Sequence, residues 1–311
     1  MDWGQVWDIV STPDNIPIVA LLLLVPFYTW YALRQAKATD RLIEQLESDK
    51  QLAKTHHRKI FPFKPGWARE LQVWPYLLRV EFLATIIVTV ILFVWSITLN
   101  APLEEPANPN HTMNPAKAPW YFLGLQEMLV YFDPWIAGVV LPTLIIVGLM
   151  VFPYIDANPL GVGYYTIRQR KVAIWGFGLG FLLWISLVFI GTFIRGPGWM
   201  WFWPGQWWDH TRVIYEVNRN LPDIFGITSI VGKIIIGVIA IGVFYVVAGW
   251  GVHKLVTRTE FDRKIYARTS LVQYLTFQFF AITILVGLPA KMLLRHLFRI
   301  KYVLITPWFN I

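Results

Sequence analysis

Cysteine is absent from the 311 residues, and charge is scarce, with only 15% Asp, Glu, Lys or Arg. The first absence excludes disulfides, thiolate nucleophiles, Cys-ligated zinc and Cys-bound iron–sulfur clusters from this chain. The second leaves too little polar surface for a water-soluble globule, where roughly a quarter of residues are charged. Histidine is sparse as well. His56, His57, His111, His210, His253 and His296 fall in loops or at the ends of apolar runs, and no two stand four or seven residues apart. A heme clasped inside a helical bundle needs inward histidines at helical spacing. The spacing therefore assigns no bis-histidine heme, and no metal site, to this chain alone. Disorder is excluded by the low charge and high hydrophobicity, and a collagen-like repeat by Gly and Pro scattered without a period.

What the chain has is apolar length. Apolar residues make up 56% of it, and the formal net charge of +8 points to loops beside anionic lipid before it points to nucleic acid. A spanning helix needs roughly 20 apolar residues to cross ~30 Å of hydrocarbon. Six stretches meet that need: about 17–33, 82–99, 136–155, 172–194, 229–252 and 271–288. The expected fold is an all-α polytopic membrane bundle of about six transmembrane helices plus a short outer-surface helix. Three parts are expected: an anchor helix and charged segment (1–75), a central helical domain (76–252), and a further helix and tail (253–311). No Lys or Arg precedes the first run, so the positive n-region of a signal peptide is missing and that run reads as a retained anchor.

Orientation follows the cations. Arg34 to Arg69, then Arg168 to Lys171, then Lys254 to Arg268 are basic, whereas 100–135 carries Lys117 alone against Glu104, Glu105, Glu127 and Asp133. Basic connections thus alternate with non-basic ones and face the cytoplasm. Lys291, Arg295 and Arg299 resist this rule, since they follow the last run on the outer side. Their spacing of four places them on one helix face, which reads as a surface helix. The segment Asp40–Lys59 reads as a solvated helix, and its His56–His57 as a polar surface pair. Glu81, Arg79 and Lys233 sit near span boundaries, where long side chains reach water. So few intramembrane charges, with no inverted repeat, weaken a secondary-transporter reading. Trp199, Trp201, Trp203, Trp207 and Trp208 crowd one outer loop and read as an interfacial belt, the sharper alternative being a docking surface for a partner subunit.

The informative stretch is Asn114-Pro-Ala-Lys-Ala-Pro-Trp-Tyr-Phe-Leu-Gly-Leu-Gln-Glu127. Pro119 suits a first helical residue, and Asp133-Pro134 suits a stop. The helix between them is too short to span, and its apolar girth tucks it into the outer edge of the bundle. Positions 120, 124, 127 and 131 share a face, gathering Trp120, Glu127 and Tyr131 around the gap left by Gly124. Desolvation there raises the proton affinity of a carboxylate, which suits removal of a proton from a hydroquinone hydroxyl.

The run Lys117-Ala-Pro-Trp-Tyr-Phe-Leu-Gly-Leu-Gln-Glu127 resembles the quinol-oxidation loop of the C-terminal half of cytochrome b, which stands alone as subunit IV in chloroplast-type complexes. The loop Arg195-Gly-Pro-Gly-Trp199 and the tail from Ile300 to Ile311 resemble split bacterial subunits of the same family. The resemblance implies one half of a membrane quinol–cytochrome c oxidoreductase, inactive alone, that forms part of the positive-side quinol site. It implies menaquinol or ubiquinol as substrate and proton translocation across a bacterial inner membrane. The b hemes would be held by an N-terminal cytochrome b partner and the iron–sulfur cluster by a Rieske protein. A c-type cytochrome would take the electrons, in a dimeric complex. Ala118, Pro119, Trp120, Tyr121, Phe122 and Glu127 would line the quinol, with Glu127 and Tyr121 catalytic. One departure stands: Pro119 occupies the position of the family's Glu and cannot accept a proton. Glu127, two turns along, either takes that role or is structural. A scaffold that has lost the acid–base group is the rival reading.

Overall fold

A computed structural model describes residues 3–55, 73–101, 103, 106–110, 112–156, 165–209, 211 and 216–311. His56–His57, His111 and His210 lie outside the described residues. Among those described, six helices are long and apolar enough to cross a membrane: Pro13–Ser48, Val73–Thr98, Ile136–Ile155, Lys171–Ile194, Ile230–Val256 and Leu271–Phe298. These are the six expected runs: the third has the expected bounds, and most of the others run further at one end or both. The first does so furthest, carrying its charged segment as one helix to Ser48 before the separate short helix Lys50–Thr55.

The chain divides into two compact units. One is Ser11–Ala107 with Gly163–Arg168, and it holds the first two spans. Within it Asp40 accepts bonds from the backbone N–H groups of Ile167 and Arg168. No residue of Leu78–Thr98 is buried, so the faces of that span are left for lipid or other chains. The other unit holds the four remaining spans and the short outer helix Trp120–Met128.

In this second unit the core lies at one end of the spans. Met128, Tyr131, Phe132, Ile136, Ala137, Leu141, Leu187 and Leu288 pack together there, with Phe309 and Ile311 of the tail against them. The tail is stitched down by main-chain bonds: Leu221 N–H donates to Tyr302 O at 2.8 Å and Lys301 N–H to Arg219 O at 2.8 Å. It also crosses the fifth span at Gly237, where a Cβ would lie 2.6 Å from the Leu304 Cα. Glycine is the residue that permits this approach.

Two sequence expectations change. The outer helix ends at Met128, well before Asp133-Pro134, because Asp133 starts the next span instead: its carboxylate accepts from Trp135 N–H at 3.1 Å. Lys291 and Arg295 do not form a surface helix. They continue the last span without a break to Phe298, and both are only 5% exposed. Their face is buried because it also carries Leu288 of the core.

Candidate functional site

The outer helix is entered through an extended segment that its own Gln126 holds in place. Gln126 Oε1 accepts from Ala118 N–H and its Nε2 donates to Ala116 O, both at 2.8 Å. Pro119 is therefore the capping residue, one position before the helix begins, and Phe122 N–H closes the first turn on Pro119 O. This places Tyr121 and Phe122 outward, 50% and 51% exposed, with Trp120 edge-on to Tyr121 at 5.7 Å between ring centres. The helix lies against the fourth span. The gap at Gly124 is occupied by that span: a Cβ would meet Val188 Cγ2 at 3.2 Å and Trp184 Cδ1 at 3.3 Å. Gly124 thus serves helix packing, and the gap around which Trp120, Glu127 and Tyr131 were expected to gather is closed by side chains of the fourth span.

Glu127 is fully buried, and three residues satisfy its carboxylate. Arg195 Nη2 donates to Oε1 at 2.6 Å and Arg195 Nε to Oε2 at 2.9 Å, a bidentate fork. Trp199 Nε1 donates to Oε2 at 3.0 Å, and Tyr131 Oη to Oε1 at 2.6 Å. Tyr131 Oη also meets His296 Nε2 at 2.9 Å, and His296 is exposed. A continuous hydrogen-bonded path therefore runs from Glu127 through Tyr131 to the surface. Burial and the neighbouring Glu127 charge raise the Tyr131 hydroxyl above its ordinary range, which keeps it protonated as a donor.

Arg195 and Trp199 belong to a tight loop. Gly198 takes φ +64° and Trp199 φ +57°, while Gly198 N–H donates to Asn114 Oδ1 at 2.6 Å and Arg195 Nη1 to Trp199 O at 3.0 Å. Gly196 is required at its position, since a Cβ would fall 1.9 Å from Trp208 Cε3. Lys117 lies over the Trp208 ring at 5.4 Å and donates to Thr192 O at 2.8 Å. That carbonyl belongs to the final π-helical turn Ile190–Ile194, so the lysine caps the helix end. Burial lowers Lys117 to about 8, with the Glu127 charge opposing the fall.

The structure thus brings Glu127 together with Tyr131, as the shared face predicts, and sets Trp120, Tyr121 and Phe122 on the entry side of the same helix. Arg195 as the partner of Glu127 was not foreseen. Its loop stood out in the sequence by its tryptophans and by resemblance, but no local spacing links positions 68 apart. The tryptophan loop divides in two. Trp199 and Trp201 turn inward, Trp201 lying 5.5 Å from the Arg195 guanidinium and 5.2 Å from His296, while Trp203 and Trp207 are 65% and 70% exposed. Lys233 pairs with Asp223 at 2.8 Å, the structural role expected of a boundary lysine.

Comparison with protein families matches residues 106–202 to cytochrome b(C-terminal)/b6/petD, a family of the bc1 and b6f oxidoreductase complexes. Nothing among curated proteins or solved structures matches the chain. The matched stretch contains the entry segment, the outer helix, the third and fourth spans and the Arg195–Trp199 loop, so both halves of the Glu127–Arg195 pair fall inside it.

Proposed function

We propose, from the cytochrome b C-terminal/b6/petD domain that residues 106–202 form, that this multi-pass membrane chain is one half of a split cytochrome b. It works in a quinol:cytochrome c oxidoreductase of a bacterial energy-transducing membrane, inactive by itself. The heme-bearing N-terminal half, a Rieske protein and a c-type cytochrome are its partners in a dimeric complex, and menaquinol or ubiquinol is the substrate. The observation that carries this reading is the outer helix, whose Tyr121 and Phe122 rings stay half exposed beside a fixed entry segment. Exposed aromatic rings beside a rigid apolar wall suit a flat quinol ring.

Ala118, Pro119, Trp120, Tyr121 and Phe122 form the wall contributed by this chain, and the Tyr121 hydroxyl holds a quinol oxygen. Glu127 takes the proton and passes it along Tyr131 and His296 to the outer surface, over bonds of 2.6 and 2.9 Å. A second reading is favoured by the fork from Arg195: Glu127 clasps the outer helix to the loop and handles no proton, as in a scaffold subunit.

Gentle detergent extraction followed by a reduced-minus-oxidised spectrum tests the membership. A b-heme band that co-purifies with this chain, and leaves with another polypeptide on harsh separation, is expected. A heme-free gentle preparation overturns the reading. In the assembled complex, Glu127→Gln with quinol turnover lost and the thermal midpoint held supports the proton role. Turnover kept assigns Glu127 to the clasp. Tyr121→Phe is expected to raise KM for quinol with little change in stability, because its hydroxyl has no role in packing.

A further inference from the structure

The last span ends in two cations that are turned into the protein. Lysine and arginine near a span end ordinarily extend their heads to the interface. Lys291 and Arg295 do the opposite: each is 5% exposed, one helical turn apart on the face that packs on the core. Among the described residues Lys291 Nζ has no hydrogen-bond partner, and the ring centres of Phe132 and Tyr302 lie 5.7 and 6.0 Å from it. Aromatic faces soften the loss of water but offer no acceptor lone pair. Arg295 spends Nη2 on Glu216, while its Nε and Nη1 are buried without partners.

Among the described residues the charges nearby do not balance. Arg195 is matched by Glu127, and Arg295 by Glu216, which leaves Lys291 over. A buried unpaired cation beside two orphaned guanidinium nitrogens is costly, and the missing element is an anion carrying several oxygens. Glu216 cannot be that anion, since it already serves Arg295 and is 40% exposed at the rim. We propose that Lys291 and Arg295 hold a phosphate group at this end of the last span. A phosphate offers enough oxygens for an ammonium and a guanidinium at once, and both residue types bind it. The headgroup of an anionic lipid is one source, because the site lies at a span end where headgroups lie. Free phosphate is the other.

Thermal midpoints of the detergent-solubilised, delipidated complex would be measured with phosphatidylglycerol, with inorganic phosphate, and with chloride at equal ionic strength. The wild type and Lys291→Met would be compared, with native mass spectrometry counting retained lipid. Stabilisation by phosphatidylglycerol alone, reduced about tenfold in apparent affinity by Lys291→Met, identifies a lipid headgroup, consistent with the worth of one charge-assisted contact. Stabilisation by both phosphates and not by chloride identifies a free-phosphate site. No phosphate response in the wild type, or an equal response in Lys291→Met, overturns the proposal. Lys291→Met also guards against misfolding, because a lysine buried without a ligand would give a more stable variant whose phosphate response is unchanged.

Discussion

The two ends of the four-span unit hold similar numbers of ion pairs and use them differently. At the end with the basic connections, Lys264–Glu260 is about three-quarters exposed on both sides, and Lys171–Asp262 stands at 4.0 Å. At the other end Arg195–Glu127 is bidentate and buried, 6% and 0% exposed. Exposed pairs contribute about 0–1 kcal/mol and are tolerant of change. A buried pair costs so much to desolvate that a hydrophobic replacement would often serve stability as well. The concentration of buried charge at one end, on the short outer helix, therefore marks where specific geometry is needed.

The comparison breaks most sharply at Arg195. Arg195→Met leaves Glu127 buried without its fork, and a loss of about 3–5 kcal/mol is expected from uncovering one half of a buried pair. The check is the thermal midpoint of the complex together with the amount of chain assembled. Tyr131→Phe removes one donor to the same carboxylate and is expected to cost about 1.5–3 kcal/mol, the worth of a bond to a charged group. In the relay reading it also slows turnover, which separates it from a packing change.

A pH experiment sharpens the contrast next. Lys117 is lowered from 10.5 to about 8 in the folded chain. Below pH 8 folded and unfolded chains both hold the proton. Between about 8 and 10.5 the unfolded chain binds more, so this group makes stability rise with pH across that window. Subtracting the melting profile of Lys117→Met from that of the wild type isolates the rise; a flat difference would place the lysine in water. At the opposite end Lys264→Ala is expected to change stability by less than about 0.5 kcal/mol. A larger loss there would erase the distinction between the ends.

Much of this fold is legible in the sequence because a membrane span is a local property. Twenty apolar residues announce themselves without reference to anything distant, and the six runs needed only adjusted ends. The outer helix was legible for the same reason, as was the Glu127–Tyr131 pair, since i and i+4 share a face in any helix. What was hidden depends on tertiary contact. Arg195 meets Glu127 across 68 residues, and Gly124 looks like a gap until Trp184 and Val188 of the fourth span fill it. Lys291 and Arg295 were misplaced for a subtler reason. Charge in a membrane protein suggests water, and only the packing of Leu288 on the core shows that their face turns inward. Asp133 illustrates a local signal with two meanings: Asp-Pro can end one helix or begin the next, and here its carboxylate accepts from the N–H that follows.

Trp199 holds a φ of +57°, a conformation that costs an L residue about 1–2 kcal/mol. Its indole N–H is bound to an ionised carboxylate, a bond worth about 1.5–3 kcal/mol. The two quantities are of similar size, so this bond offsets the strain that the loop carries in its backbone. The strain at Trp199 is thus borne by a carboxylate on a different element, which ties the shape of this loop to the placement of the outer helix.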